Sequence, residues 1–136
     1  MFEHFVEAQE PVYREVLAEL RAGRKTSHWM WFIFPQLKGL GRSPTALHFG
    51  LDGLPAAEAY LRHPVLGPRL LECTRTVLAV EGRTAHDIFG SPDDLKFRSS
   101  VTLFGRADPA EPAFRAALAK FYGGRQDERT LELLGA

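Results

Sequence analysis

The chain has 136 residues, 45% of them hydrophobic and 25% charged, and its 17 Lys plus Arg balance 17 Asp plus Glu. This is enough chain for one domain with a real core and too apolar for a disordered one; the neutral balance offers no global field for nucleic acid or an acidic membrane. Cys73 is the only cysteine, which excludes an intrachain disulfide and a Cys-based zinc site, and the absence of an apolar leader or of a run near ~20 apolar residues points to a soluble cytoplasmic protein.

Pro11 is placed to open a helix reaching Arg21, with Val16, Leu17 and Leu20 inward and Gly23 as its stop. Next comes Lys25-Thr26-Ser27-His28-Trp29-Met30-Trp31-Phe32-Ile33-Phe34-Pro35-Gln36, which holds both tryptophans of the protein. Its aromatic part leans toward strand by propensity. A lone strand has no partner, so the run from Trp29 to Phe34 is expected as a short buried helix ended by Pro35. Pro55 opens a helix with Ala59, Tyr60 and Leu61, closed at His63-Pro64. Pro68 opens what reads as the longest helix, striped by Leu70, Leu71, Thr74, Val77 and Leu78 before Gly82. Thr84 with Asp87 begins a single turn ending at Gly90.

Ser91-Pro92-Asp93-Asp94 starts a helix to about Phe104, lined on one side by Phe97, Val101 and Phe104. Asp108-Pro109-Ala110-Glu111 reads as a capping box for a helix carrying Phe114, Ala117, Leu118 and Phe121 to Gly123-Gly124. Asp127 caps a short last helix with Leu131 and Leu134. No alternating strand or hairpin turn between strand-like runs is present. The expected fold is all-α: one domain over residues 1–136, with about seven short-to-medium helices that could stack as an irregular right-handed superhelical array.

Several fragments in this order resemble one family. They are Gly23-Arg24-Lys25 with Ser27 to Gln36, Gly39-Leu40-Gly41, Tyr60-Leu61 with His63-Pro64, and Leu66-Gly67-Pro68-Arg69-Leu70. Ile88-Phe89-Gly90, Asp94 with Lys96, Ser99-Ser100 with Thr102-Leu103-Phe104, and Asp127 with Thr130-Leu131 complete the set. Together they are similar to DUF1810, a family of small bacterial proteins of unknown function. Val101 stands where that family usually has Met. The resemblance spans nearly the whole chain and implies a compact, mainly helical, armadillo-like array; it implies no particular activity.

Two segments carry candidate chemistry. In the first, Trp31 could stack on a planar ligand while Lys25, Ser27, His28 and Gln36 bind its polar groups. The alternative places the aromatics in the core, His28 at a cap and Lys25 near the preceding helix C-terminus. In the second, Lys96, Ser99, Ser100 and Thr102 crowd one helix. Ser99 with Lys96 could bind an anion or a ribose, or the hydroxyls could bond back to their own helix.

His28 and Asp127 are the proton-transfer candidates, although Asp127 equally suits a plain N-cap. The five histidines show no close metal-ligand spacing, so neither a metal nor a cofactor is expected. Cys73 reads as a buried, inert thiol. The leading functional expectation is a small-ligand site at Lys25, Ser27, His28, Trp31, Gln36, Lys96 and Ser99, for a phosphorylated or nucleotide-like metabolite. The alternative is a helical protein-interaction module without catalysis. Nucleic acid ranks third, because no basic recognition helix is evident.

Overall fold

The computed structural model describes residues 1–135, and among these it forms ten α-helices. They are α1 (Glu3–Gln9), α2 (Tyr13–Arg21), α3 (Met30–Ile33), α4 (Pro44–Phe49), α5 (Leu54–Arg62), α6 (Leu66–Ala79), α7 (Ala85–Phe89), α8 (Asp93–Ala107), α9 (Pro112–Tyr122) and α10 (Glu128–Leu134). The only extended pairing among the described residues is one parallel bridge between Leu37 and Leu51. The all-α expectation therefore holds, with more helices than the sequence announces. The additional α1 and α4 have 7 and 6 residues, too few to be stable alone, and they rely on packing. Ser43 and Pro44 do mark α4, with the Ser43 hydroxyl accepting from Ala46 N at 3.1 Å.

Several boundaries differ from expectation: α2 starts at Tyr13 rather than Pro11, and α8 runs on to Ala107 rather than to Phe104. Helix α9 starts at Pro112 with Glu111 as its cap, whose carboxylate accepts from Ala113 N at 3.1 Å. Asp108 instead closes a turn, its carbonyl accepting from Glu111 N at 3.1 Å. Two prolines offered a start, and the later one is used; its cap Glu111 also pairs with Arg75 at 3.2 Å. Helix α6 begins at Leu66, so Pro68 falls within its first turn, where its missing N–H costs nothing. The imidazole of His63 caps that start, accepting from Val65 N and Leu66 N at 3.1 and 3.2 Å. Helix α8, at 15 residues, exceeds α6 by one and is the longest described.

Other punctuation works as expected. Thr84 and Asp87 form a reciprocal capping box, Gly123 takes the left-handed conformation at the end of α9, and Asp127 caps α10. Helix α8 packs against α5, α7, α9 and α10, while α6 packs against α2, α5 and α9. Phe97, Val101, Phe104, Phe114, Leu118, Leu70 and Val77 are buried; Leu71, Leu78 and Phe121 pack against this core and are half-buried. Phe34 meets Phe97 edge-on at 4.9 Å, and Phe89 stacks on Phe97 at 4.7 Å. These contacts seat α3 and α7 against the first half of α8, which brings the aromatic segment beside Lys96 and Ser99.

Candidate functional site

The segment leading into α3 is built around Glu19. Gly23, at φ +71, turns the chain out of α2, and Arg83 holds it there by donating from Nε to Gly23 O at 2.8 Å. One Glu19 carboxylate then accepts from Thr26 N at 2.7 Å, Ser27 N at 3.1 Å, Ser27 Oγ at 2.5 Å and Trp29 Nε1 at 3.0 Å. Partial burial works to raise its pKa. The hydrogen bonds from Ser27, Thr26 and Trp29 outweigh burial and hold Glu19 below the ordinary carboxylate range.

These bonds separate the two tryptophans. Trp29 is buried at 1% exposure with its N–H satisfied. Trp31 is half-buried, and its N–H has no partner among the described residues. The first is a core residue; the second faces a cleft.

Lys25 donates its backbone N–H to Ile88 O at 2.7 Å, which fixes where its side chain starts. Its ammonium, with a side chain only 8% exposed, meets Asp93 at 2.8 Å. Lys96, three residues along α8, meets the same carboxylate at 3.1 Å. Burial raises the Asp93 carboxyl, but hydrogen bonds and charge from Lys25 and Lys96 dominate and leave it lowered. Two cations on one carboxylate leave a net positive charge. The Lys96 ammonium also lies 3.9 Å from the centroid of the Trp31 ring, a close cation–π contact.

A cleft of about 350 Å3 opens beside this pair, with walls that include Trp31, Gln36, Leu95, Lys96, Ser99 and Asp127. Leu40, Gly41, Pro92 and Arg129 complete its rim. Gln36 is held rigidly: its carbonyl accepts from Leu51 N at 3.0 Å, and the next residues pair through Lys38 N to Leu51 O at 2.9 Å. Its side chain, by contrast, makes no hydrogen bond to the protein, although the residue is only 8% exposed. Among the described residues Ser100 Oγ is the sole fully enclosed side-chain polar atom without a partner. The Gln36 amide is therefore not fully enclosed, and the residue lines the cleft.

Ser99 and Thr102 do bond back to their helix, to Leu95 O at 3.1 Å and Arg98 O at 2.8 Å. Ser99 thus offers the cleft lone pairs rather than a proton. Thr102 Oγ1 also accepts from Asp127 N at 2.9 Å, and Arg98 donates to the carbonyls of Arg125 and Gln126, both at 3.0 Å. These bonds place Asp127 at the cleft. Its Oδ2 accepts from Thr130 N at 2.9 Å and Thr130 Oγ1 at 2.6 Å, while Oδ1 has no protein donor.

Of the residues singled out from sequence, Trp31, Gln36, Lys96, Ser99 and Asp127 share this cleft, whereas Lys25 is outside its walls, buried in the ion pair with Asp93. Ser27 is committed to Glu19, and His28 is exposed and outside the cleft walls. Asp93 as the shared anion and Glu19 as the hub do not stand out in the sequence. A carboxylate in a helix among others carries no local signal for either role. Arg129 is likewise placed at the rim only by the fold.

A larger concavity of about 710 Å3 lies along α1 and α4, where His4 packs against His48 at 4.9 Å and Lys38 pairs with Asp52 at 2.9 Å. Glu3 there pairs with the N-terminal ammonium, while Glu7 has no ion-pair partner among the described residues. No cluster of three or more metal-ligating side chains occurs among the described residues. Burial pushes the Cys73 thiol up to about 12, so it is not a nucleophile near neutral pH. No described helix is long and apolar enough to cross a membrane.

The described residues thus form an all-α fold with an aromatic, lysine-bearing cleft beside α8. The chain belongs to the family described as protein of unknown function (DUF1810), whose model matches residues 1–134. It is similar to the crystal structure of the conserved hypothetical protein Rv1873 from Mycobacterium tuberculosis. The two share 58% identity and a TM-score of 0.98, over 99% of this chain and 96% of the other. No curated protein matches it.

Proposed function

We propose that the protein binds a small planar metabolite bearing an anionic group in the cleft between Trp31, Gln36 and the first half of α8. The observation that carries this reading is the Trp31–Lys96 pair, with its ring and ammonium 3.9 Å apart on the cleft wall. An aromatic platform and a cation side by side suit a ligand whose ring stacks while its phosphate or carboxylate meets the charge. Lys25 and Asp93 support the arrangement by orienting Lys96. Ser99 and Asp127 contribute acceptors for hydroxyl groups.

The contrast with Trp29 strengthens the reading. A tryptophan present only for packing would be expected to resemble that neighbour, buried and with its N–H paired. The competing module for protein partners has less behind it. Among the described residues the large exposed apolar side chains are Met1, Leu47, Leu95 and Leu133, and scattered exposed residues of this kind are ordinary.

The test is a fluorescence and thermal-shift titration with nucleotides, ADP-ribose and aromatic carboxylates, using wild type and Trp31→Phe. A binder should quench Trp31 and raise the melting temperature, because it binds the native state only. Quenching should vanish in Trp31→Phe, where Trp29 alone remains. Wild-type protein that responds to none of these compounds overturns the proposal.

A further inference from the structure

We infer that Gln36 is the specificity-determining residue of this cleft and that the occupant is a nucleoside phosphate, its base edge read by the Gln36 carboxamide. The inference rests on the cleft reading above and adds the chemistry of the ligand. A side chain nine-tenths buried normally has its polar atoms paired within the protein, yet Gln36, at 8% exposure, pairs none of them and lines the cleft. Its backbone is meanwhile pinned to Leu51 at 3.0 Å. The carboxamide therefore stands at the cleft on a fixed backbone, without a hydrogen-bond partner among the described residues.

A carboxamide presents one donor and one acceptor side by side in a plane. Phosphate alone offers only acceptors and would leave Oε1 unmatched. A nucleobase places an exocyclic group next to a ring nitrogen, one donating and the other accepting, which is the pattern a glutamine meets with two hydrogen bonds. The remaining walls fit the rest of such a molecule. Trp31 is the stacking surface, since any base has a π face to present. Asp127 Oδ1 and the Ser99 lone pairs are acceptors suited to ribose hydroxyls, whereas a carboxylate would repel a phosphate. Lys96 supplies the cation for the phosphate.

The experiment compares AMP, ribose 5-phosphate and purine riboside 5′-monophosphate, which lacks the exocyclic amine, by calorimetry and Trp31 quenching. Wild type should bind AMP at least tenfold more tightly than either other compound. A site built to pair a polar group rejects the analogue that lacks it. Gln36→Leu, checked for an unchanged circular dichroism spectrum and melting temperature, should bring AMP down to the level of purine riboside 5′-monophosphate, which still stacks on Trp31. Equal affinity for AMP and purine riboside 5′-monophosphate in wild type overturns the assignment of Gln36 whatever the variant does, and leaves the cleft reading intact. Quenching of Trp31 by aromatic carboxylates but not by AMP overturns that assignment in the same way. Failure of every compound to quench Trp31 overturns both.

Discussion

Gly67→Ala should destabilise the protein, and Gly105→Ala should stabilise it, although both add one methyl group to a helix. Neither glycine has a positive φ, so backbone strain is not the issue and sterics decide. A Cβ at Gly67 would lie 2.0 Å from Leu61 O and 2.9 Å from Leu61 C, both backbone atoms of α5. Contact at the usual distance of about 3.5 Å would need α6 to retreat from α5 by about 1.5 Å. That movement strains a core in which Leu66 and Leu70 are 0% and 2% exposed. Overpacking of this severity costs about 3 kcal/mol or more, offset by about 1 kcal/mol of improved helix propensity.

The net expectation for Gly67→Ala is a loss of about 2 kcal/mol, or a melting temperature lower by roughly 6–10 °C. At Gly105 the nearest atom to a new Cβ is Phe114 Cβ at 3.6 Å, an ordinary contact. Only the propensity gain remains there, about 0.5–1 kcal/mol. Urea denaturation followed by circular dichroism measures both. A Gly67→Ala protein as stable as wild type would refute the close approach of the two helices.

Phe114→Ala, at a fully buried position packed against Phe104, should cost about 3–5 kcal/mol by cavity formation, read from the same denaturation curves. Glu19 and Asp93 both have lowered pKa values in the folded protein. Their contribution to stability is therefore full above the unfolded values near pH 4 and is lost as pH falls through the folded ones. Glu19→Gln and Asp93→Asn should each flatten the dependence of melting temperature on pH below about 4, and an acid limb as steep as wild type in both would contradict the ion and hydrogen-bond assignments. Cys73 should resist a thiol reagent in native protein and react completely in denaturant, and rapid labelling of native protein would show that its site opens.

Local chemistry alone determined the helical class and most of the helix ends. Thr84 with Asp87, Asp127 and Gly123 act through hydrogen bonds or backbone freedom within a few residues, so their effect is written where they stand. The inward stripes of α6, α8 and α9 were legible for the same reason, because a helical period is a property of the segment itself. The start of α9 was not, since Asp108-Pro109 and Glu111-Pro112 each offer an acidic cap and a first-turn proline, and the later pair is used. Helices α1 and α4 are too short to declare themselves without the surfaces they pack on.

The site divides along the same line. Residue types suggested that Lys25, Ser27, His28, Trp31, Gln36, Lys96 and Ser99 belong together; packing of Phe34 and Phe89 on Phe97 carries the aromatic segment to α8, and of these residues Trp31, Gln36, Lys96 and Ser99 line the cleft. Nothing in the run Ser27-His28-Trp29-Met30-Trp31 distinguishes its two tryptophans. Glu19, which lies on α2, claims Ser27 and the N–H of Trp29, and this leaves Trp31 and an unpaired Gln36 to face the cleft. Which polar groups are satisfied internally and which remain available depends on partners distant along the chain, and that is a property of tertiary structure alone.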